Sequence, residues 1–310
     1  MRLRRKVRRF KRLFIGGAYG LFLSLFLIIY SLHISLPCLK KPLLFYNSEK
    51  GKDLNLLLKK AIASAQMSII LRTYGLTDPV ILSLLKKKAQ QGISISLYYD
   101  QRANPDLAHL NERHFHFYPM KGKGLIHEKI WIIDETLVFI GSANVTPSSL
   151  RMHENLMVGM HAPFLAKTLA KKRPSALHIS LGEHQIHYYS LPSQDGLNAV
   201  LTTLDQAKKK VSLSFFTFTH PLIGEKLIEL YKKGIKIDIK LDKGSAEGSS
   251  KKIKDTLESQ GISIQTSQGI QLFHHKWAII DKKTHIIGSA NWTRAAFDKN
   301  QDLILIITSN

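Results

Sequence analysis

Two short segments of the chain carry the same chemically reactive residues in the same order. Each has a histidine, a lysine two positions later and an aspartate five positions after the lysine. The first copy comprises His127, Lys129 and Asp134, and the second comprises His274, Lys276 and Asp281. Each member of the second copy follows its counterpart by 147 residues. A single His-x-Lys pair would be a weak signal, whereas two copies with the same internal spacing indicate a repeat with one shared function.

The same Gly-Ser-Ala-Asn tetrapeptide follows each copy. It supplies Ser142 and Asn144 after the first copy, and Ser289 and Asn291 after the second. Between each histidine and its tetrapeptide, two runs rich in isoleucine are separated by polar turn residues, which predicts a β-hairpin. Alternate residues of a strand face the same side, so the histidine and lysine of each copy project together. The hairpin brings the tetrapeptide beside the histidine, where the serine hydroxyl and the asparagine amide are predicted to bind phosphate.

These residue types suit the transfer of a phosphoryl group. Lysine ammonium groups and neutral hydrogen-bond donors stabilise the negative charge that develops in the transition state. Two histidines suit a two-step reaction, in which one attacks phosphorus and the other protonates the leaving oxygen and then activates water or an alcohol. Because the lysines already supply positive charge, we expect the reaction to need no metal ion and no other cofactor.

Two acidic residues lie at comparable distances after the motif histidines. A nucleophilic histidine needs its second ring nitrogen held by a hydrogen-bond acceptor. Glu154 follows His127 by 27 residues, and Asp302 follows His274 by 28. Each opens a run of apolar residues typical of a strand. We therefore predict that Glu154 and Asp302 are the carboxylates that orient the two histidines.

The repeat extends beyond the motifs to the elements that must position them. Helical patterns at 54–65 and 197–207 are each followed by a strand-like run, a second helix and a second strand. This alternation predicts an α/β fold with helices on the faces of a sheet. The predicted halves are residues 42–160 and 186–310. The segment 161–185 lacks clear periodicity and is predicted to be the linker between them.

The N-terminus has the pattern of a membrane anchor. Residues 1–12 carry eight lysines and arginines, and residues 13–36 are uncharged apart from His33 and predominantly apolar, long enough for a transmembrane helix. No small-residue cleavage site follows, which favours an uncleaved signal anchor over a signal peptide. Since basic residues stay on the cytoplasmic side, we expect a single-pass protein with a cytoplasmic N-terminus and an extracytoplasmic body. The lone cysteine, Cys38, excludes a disulfide within one chain.

The charge of the chain points to anionic partners. The formal net charge is +22, and subtracting the eight N-terminal positive charges leaves +14 for the rest. A body this basic favours an anionic phospholipid, a membrane surface or nucleic acid as its partner. The alternative is a charged surface that serves only solubility, although +14 exceeds what solubility requires.

The doubled His-x-Lys-x4-Asp with Gly-Ser-x-Asn resembles the phospholipase D superfamily over residues 42–310. The resemblance implies two similar αβα sandwich halves with pseudo-twofold symmetry, both motifs at one cleft, a phosphohistidine intermediate and independence of metal ions. It also implies that His127 is the nucleophile and His274 the acid, although the sequence leaves the order of the two histidines open, and that Asp134 and Asp281 support the structure. One departure is that family members often have glutamate where this chain has Asp302.

The motif leaves the substrate open. A phospholipase D type enzyme would hydrolyse or transfer the phosphatidyl group of phospholipids, and the predicted anchor favours it. A non-specific endonuclease acting on DNA or RNA is the alternative, because the same positive charge suits a phosphate backbone. A catalytically silent binding protein ranks last, since both motifs are intact. The chain contains both halves of a site, so a monomer suffices.

Overall fold

The computed structural model describes residues 34–109 and 113–309. The basic segment 1–12 and nearly all of the predicted anchor 13–36 lie outside the described residues. Among the residues that are described, no helix is long and apolar enough to cross a bilayer. The compact unit Leu36–Asn310 contains the whole of the repeat.

The first half follows the predicted alternation of strands and helices. Its elements are β1 (Leu43–Asn47), α1 (Leu54–Ser64), β2 (Ser68–Thr73), α2 (Pro79–Gln90), β3 (Ser94–Asp100), β4 (Phe115–Met120), β5 (Lys129–Ile133), β6 (Leu137–Gly141), α3 (Pro147–Arg151) and β7 (Leu156–His161). The strands form one sheet in the order β1-β7-β6-β5-β2-β3-β4. Only β2, β3 and β4 are parallel neighbours, and the other pairs are antiparallel.

The second half repeats this arrangement with one strand added at an edge. Its elements are α4 (Pro163–Lys171), β8 (Ala176–Leu181), β9 (His184–Leu191), α5 (Gln194–Asp205), β10 (Lys210–Phe215), α6 (Pro221–Lys232), β11 (Lys236–Leu241), α7 (Lys243–Glu247), α8 (Lys251–Ser259), β12 (Ile264–Thr266), β13 (Lys276–Ile280), β14 (Thr284–Gly288), α9 (Arg294–Asp298) and β15 (Asp302–Ser309). The sheet order is β12-β11-β10-β13-β14-β15-β9-β8. Strand for strand, β9 to β15 therefore repeat the first sheet.

The segment 161–185, predicted only as a linker, contains ordered elements. Helix α4 buries Leu165, Ala166 and Leu169, and β8 pairs with β9 at the edge of the second sheet. Both elements are short, and β8 alternates between exposed and half-buried residues with no fully buried position. The alternation in β8 is a strand-like signal, but it extends over only six residues, and α4 has only nine, so neither element was recognised from the sequence.

The two sheets share a core that fixes the halves against each other. The buried side chains of this core come from β5, β6 and β7 of the first sheet, from β9 and β15 of the second, and from α4. The opposite face of the second sheet packs against helices through Leu197, Leu227 and Leu257. Each sheet thus has a helix-covered outer face, while its inner face packs on the other half.

The motif aspartates tie each hairpin turn to the start of the neighbouring strand. Asp134 and Asp281 both have positive φ, 52° and 50°, in the turns after β5 and β13. Aspartate tolerates this left-handed conformation better than most residues. Each carboxylate accepts three backbone N–H groups at 2.7–2.9 Å: those of Gln66, Met67 and Ser68 for Asp134, and those of Lys208, Lys209 and Lys210 for Asp281. The half-buried motif aspartates therefore support the structure of the two hairpins.

We predict that Asp281→Asn destabilises the fold in a pH-dependent way. Burial raises the pKa of Asp281, but the N–H groups of Lys208, Lys210 and Lys209 outweigh it and hold the pKa below its ordinary value. A lowered pKa in the folded state contributes stability above the unfolded pKa of about 3.9, which is lost as the pH falls through the folded value. The variant should lose about 1–3 kcal/mol in the free energy of unfolding at neutral pH.

Urea unfolding of both proteins across the acid range measures this effect. The difference between wild type and Asp281→Asn should narrow as the pH falls below about 4. Asp106→Asn, at an exposed position, is the matched control and should change little at any pH. Equal losses for the two variants would contradict the role given to the Asp281 carboxylate.

Candidate active site

Each motif histidine is held by an acceptor from the opposite half. His127 Nδ1 lies 2.8 Å from Asp302 Oδ1, and His274 Nδ1 lies 3.1 Å from Asn155 Oδ1. Burial raises the pKa of Asp302, but His127 and Lys129 outweigh it and the pKa falls below its ordinary value. The carboxylate is therefore ionised and can only accept, so Nδ1 of His127 carries the proton. Nε2 of the neutral His127 ring is therefore left with its lone pair free.

Asn155, and not Glu154, is the residue behind His274. Glu154 contributes only its backbone there, since its carbonyl accepts the N–H of His274 at 2.8 Å. Neighbouring residues of an extended chain point to opposite sides, so a shift of one position turns the Glu154 carboxylate away. The repeat contained the signal: Asn155 and Asp302 are 147 residues apart, the spacing of the motifs, whereas Glu154 is one residue out of register.

The motif serines hold these acceptors and are not positioned to bind phosphate as predicted. Ser142 Oγ donates to Asn155 Oδ1 at 2.8 Å, and Ser289 Oγ donates to Asp302 Oδ1 at 2.6 Å. Each serine also accepts a backbone N–H, from Leu156 or Leu303, at 3.1 Å. A hydroxyl has one proton to donate, and here it is committed to the acceptor.

The role of the motif asparagines as phosphate donors stays a prediction, with which the structure is compatible. The side-chain oxygens of Asn144 and Asn291 are buried, and neither has a hydrogen-bond partner among the described residues. No described group accepts a hydrogen bond from either side-chain amide. Both amide groups thus remain open to a ligand.

The two motif lysines are buried and lie beside aromatic rings. Lys129 Nζ donates to the His127 carbonyl at 2.6 Å and lies 5.7 Å from the centre of the Tyr74 ring. Lys276 Nζ donates to the His274 carbonyl at 3.1 Å and lies 5.4 Å from the Phe216 ring. Tyr74 directly follows β2, and Phe216 directly follows its counterpart β10. The two rings are therefore repeat counterparts, which the motif alone did not reveal.

Burial disfavours the charged form of both lysines when no anion is bound. It lowers the pKa of Lys129 to about 7, although Asp302 and Glu128 act in the opposite direction. It lowers the pKa of Lys276 well below its ordinary value, and repulsion from Lys129 lowers it further. A bound anion would favour the charged form of both ammonium groups.

The two histidines differ in their electrostatic surroundings. Burial lowers the pKa of His127, and the neighbouring Asp302 carboxylate opposes this effect. Burial lowers the pKa of His274 further, and Lys276 and Lys129 add to the effect. The carboxamide of Asn155 carries no charge that could offset it. The site therefore contains one imidazole supported by a carboxylate and one supported by a neutral amide.

Two further aspartates fix the loops that enter the motifs. Asp100, at the end of β3, accepts the N–H of Ile126 at 2.9 Å, and Asp242, after β11, accepts that of Phe273 at 3.0 Å. Ile126 and Phe273 immediately precede the motif histidines. The sequence shows both aspartates at strand ends, but their distance from the motifs in the chain hid this role.

Arg173 also contributes to the site from the segment predicted as a linker. Its guanidinium pairs with Glu128, the residue between His127 and Lys129. It also donates to the backbone carbonyls of Leu191 and Asp302. This one side chain therefore connects the first motif to the second sheet.

Comparisons with known proteins agree with the repeat. The family described as "Cardiolipin synthase, PLD-like domain" matches residues 58–173 and 200–310, one match in each half. A segment of 119 residues, 38% of this chain, is 33% identical to 53% of a mitochondrial cardiolipin hydrolase of Mus musculus. A segment of 144 residues, 46% of this chain, is 26% identical to 72% of a phospholipase D of Rickettsia felis. The matched region thus spans about half the length of the cardiolipin hydrolase.

A solved structure shows that the fold extends over most of the chain. The phosphatidylserine synthase of Haemophilus influenzae aligns with a TM-score of 0.69 over 89% of this chain and 83% of that protein, at 14% identity. At this identity the likeness concerns the fold alone. Because the family match covers most of both halves and includes both motifs, the chain belongs to the phospholipase D-like family of phosphodiesterases.

Proposed function

We propose that this protein is a metal-independent phosphodiesterase that hydrolyses or transfers the phosphatidyl group of phospholipids, with His127 as nucleophile and His274 as general acid and base. The observation that carries the proposal is the unequal support of the two imidazoles. Asp302, a carboxylate, lies behind His127, and Asn155, a neutral amide, lies behind His274. The two histidines are thereby suited to different steps of one reaction.

The carboxylate favours attack by His127. Asp302 accepts a hydrogen bond from Nδ1–H of His127 and stabilises the positive charge that develops on the ring when Nε2 bonds to phosphorus. As the P–N bond forms, the P–O bond to the leaving alcohol breaks. The Nε2 proton of His274 passes to the departing oxygen, and the low pKa of His274 favours this transfer.

The second step returns both histidines to their starting states. His274, now neutral, takes a proton from water or an acceptor alcohol as that oxygen attacks phosphorus. The P–N bond breaks, its electron pair returns to Nε2, and His127 is released as the neutral imidazole with its proton on Nδ1, still hydrogen-bonded to the Asp302 carboxylate. Water gives the phosphatidic acid, and an alcohol gives a new phosphodiester. The anionic substrate supports protonation of His274 before the first step, because it offsets the two lysine charges.

The charges of the site suit an anionic substrate. With both lysines and His274 protonated and Asp302 ionised, the buried groups carry a net +2, because Glu128 is already paired with Arg173. A phosphodiester carries one negative charge and offsets part of this buried positive charge.

The lipid substrate is supported by the predicted anchor and by the names of the relatives. A single-pass anchor with a cytoplasmic N-terminus would hold the body, as a monomer, against the extracytoplasmic surface of the membrane. Lysine clusters on the body would add attraction to anionic lipid. Cleavage of DNA or RNA is the second candidate, favoured by the +14 charge of the chain beyond its first twelve residues.

We predict that the phosphohistidine forms on His127. Full-length protein, mixed with radiolabelled phosphatidyl substrate and quenched in alkali, should retain label that is absent from His127→Ala. His274→Ala should retain label if it reacts at all, since it lacks only the proton donor. Turnover should fall about 10²–10⁴-fold in either variant. His116→Ala, an exposed histidine on β4, is the control. Label on His127→Ala would reverse the assignment.

We predict that Asn155→Asp shifts the alkaline limb of the pH–rate profile to higher pH. A carboxylate behind His274 favours the imidazolium form and raises its pKa, so the general acid stays protonated at higher pH. The measurement is kcat as a function of pH for the variant and the wild type. Asn198→Asp, on α5, is the control. An unchanged alkaline limb would mean that His274 is not the group that must be protonated.

We predict lipid turnover in the presence of EDTA. The full chain in detergent micelles is offered cardiolipin, phosphatidylglycerol and phosphatidylcholine in one series, and plasmid DNA and single-stranded RNA in another. Release of phosphatidic acid by the wild type, and its absence with His127→Ala, would support the lipid substrate. Cleavage of nucleic acid without lipid turnover would support the second candidate instead.

A further inference from the structure

The residue between the histidine and the lysine differs between the two motifs. Glu128 occupies this position in the first copy and His275 in the second, 147 residues later. Strand alternation directs both side chains away from the catalytic histidine and lysine. Glu128 is paired with Arg173. His275 is fully buried, and in the described part of the chain neither of its ring nitrogens has a hydrogen-bond partner.

Two carboxylates converge on this unpaired imidazole. Glu49 lies in the short helical turn Ser48–Lys50 after β1, and its Oε2 is 3.7 Å from His275 Nε2. Glu154 precedes β7, and its Oε2 is buried without a partner among the described residues. One ligand atom from each of the three side chains lies within 4.8 Å of the other two.

The 3.7 Å between Glu49 and His275 is closer to the separation of two ligands of one ion than to a direct hydrogen bond. A distance of 3.7 Å is too long for a hydrogen bond between Glu49 and His275. Ligand atoms at about 2.0–2.2 Å from a tetrahedral ion are themselves roughly 3.3–3.6 Å apart. Buried polar atoms without partners are uncommon in folded proteins, and a bound ion is one of their ordinary explanations.

We propose that Glu49, Glu154 and His275 bind one divalent transition-metal ion, for which Zn²⁺ is the best match. An imidazole nitrogen with two carboxylate oxygens is a donor set that zinc accepts, whereas Mg²⁺ and Ca²⁺ prefer oxygen ligands alone. Three protein ligands leave a fourth tetrahedral position for water. This site is separate from the phosphodiester site, whose proposed chemistry uses no metal.

The surrounding charges are compatible with a bound cation. Lys240 Nζ donates to Oε1 of Glu49 at 2.6 Å, which leaves Oε2 as the ligand atom. Lys240 also lies 4.5 Å from the centre of the Phe273 ring. Two carboxylates and one ammonium give the cluster a net charge of −1 before any ion binds. Hydrogen bonding of Oε1 by Lys240 would orient the Glu49 carboxylate, as outer partners of metal ligands commonly do.

The position of the cluster indicates a structural role for the ion. Glu49 and Glu154 belong to the first half, and His275 belongs to the second, next to His274. A bound ion would connect the two halves on the side of the motif strand opposite the catalytic groups. It should therefore stabilise the folded chain while leaving the phosphodiester chemistry unchanged.

Zinc titration of the full-length, untagged protein tests the site. The protein in detergent micelles is stripped with EDTA, dialysed and titrated with ZnCl₂ by calorimetry, with MgCl₂ as a comparison. We expect one Zn²⁺ per chain and a higher Tm in its presence. Glu49→Gln, at an exposed position, and Glu154→Gln should each weaken Zn²⁺ binding at least about tenfold and remove the rise in Tm. Glu183→Gln and His178→Ala, both exposed, are the matched controls and should bind like the wild type.

The zinc titration tests the proposed metal site independently of the proposed phosphodiesterase activity. Absence of Zn²⁺ binding by the wild type would overturn the proposed metal site. Wild-type binding by both glutamate variants would place any bound Zn²⁺ elsewhere. His275→Gln is a third variant, and Glu49→Gln decides the question if His275→Gln does not fold. Phosphodiesterase turnover should be equal before and after EDTA treatment, so failure of the zinc site leaves the proposed activity intact.

Discussion

The buried hydrogen bond between His127 and Asp302 joins the two halves of the chain and organises the site around it. Ser289 donates to the same carboxylate oxygen, and the pair His274–Asn155 repeats the arrangement in the other direction. Loss of either partner would leave a buried polar group unpaired, which is costly in a site of low dielectric. The two sheets must therefore keep a fixed relative position, and their shared apolar core provides it.

The repeat supplies the same backbone twice, but the chemistry depends on where the halves differ. Behind the catalytic histidines, one half provides Asp302 and the other Asn155. Between the histidine and the lysine of each motif, one half has Glu128 paired with Arg173, and the other has the unpaired His275. The first difference separates the proposed nucleophile from the proposed acid. The second places the proposed metal ligand His275 next to His274, on the opposite side of the strand.

The burial of two lysines next to two histidines makes the site depend on its ligand. Without an anion, burial and mutual repulsion lower the pKa of Lys276 well below its ordinary value, and burial lowers that of Lys129 to about 7. A bound phosphodiester offsets both effects and also favours protonation of His274. In the proposed mechanism, electrostatics alone would thus couple substrate binding to the protonation of His274.

Much of the fold and the list of reactive residues could be predicted from the sequence, because those signals are local. Strand–helix alternation, the hairpins and the repeated motif spacing all depend on residues close together in the chain. The short elements α4 and β8 escaped prediction, since a helix of nine residues and a strand of six offer only short patterns, even though β8 alternates regularly. Asn155, the acceptor for His274, lies 147 residues before Asp302 and could have been found from the spacing of the repeat. Glu154 beside it was chosen because it is acidic.

Only the tertiary structure decided what each residue contacts. The direction of a side chain changes with every step along a strand, so one position separates Asn155, behind His274, from Glu154, beside His275. The motif serines were expected at the phosphate but hold the acceptors, because strand pairing places them there. The cluster of Glu49, Glu154 and His275 comes from three distant segments. Composition and spacing determine which groups are present, whereas the packing of one sheet on the other determines which of them meet.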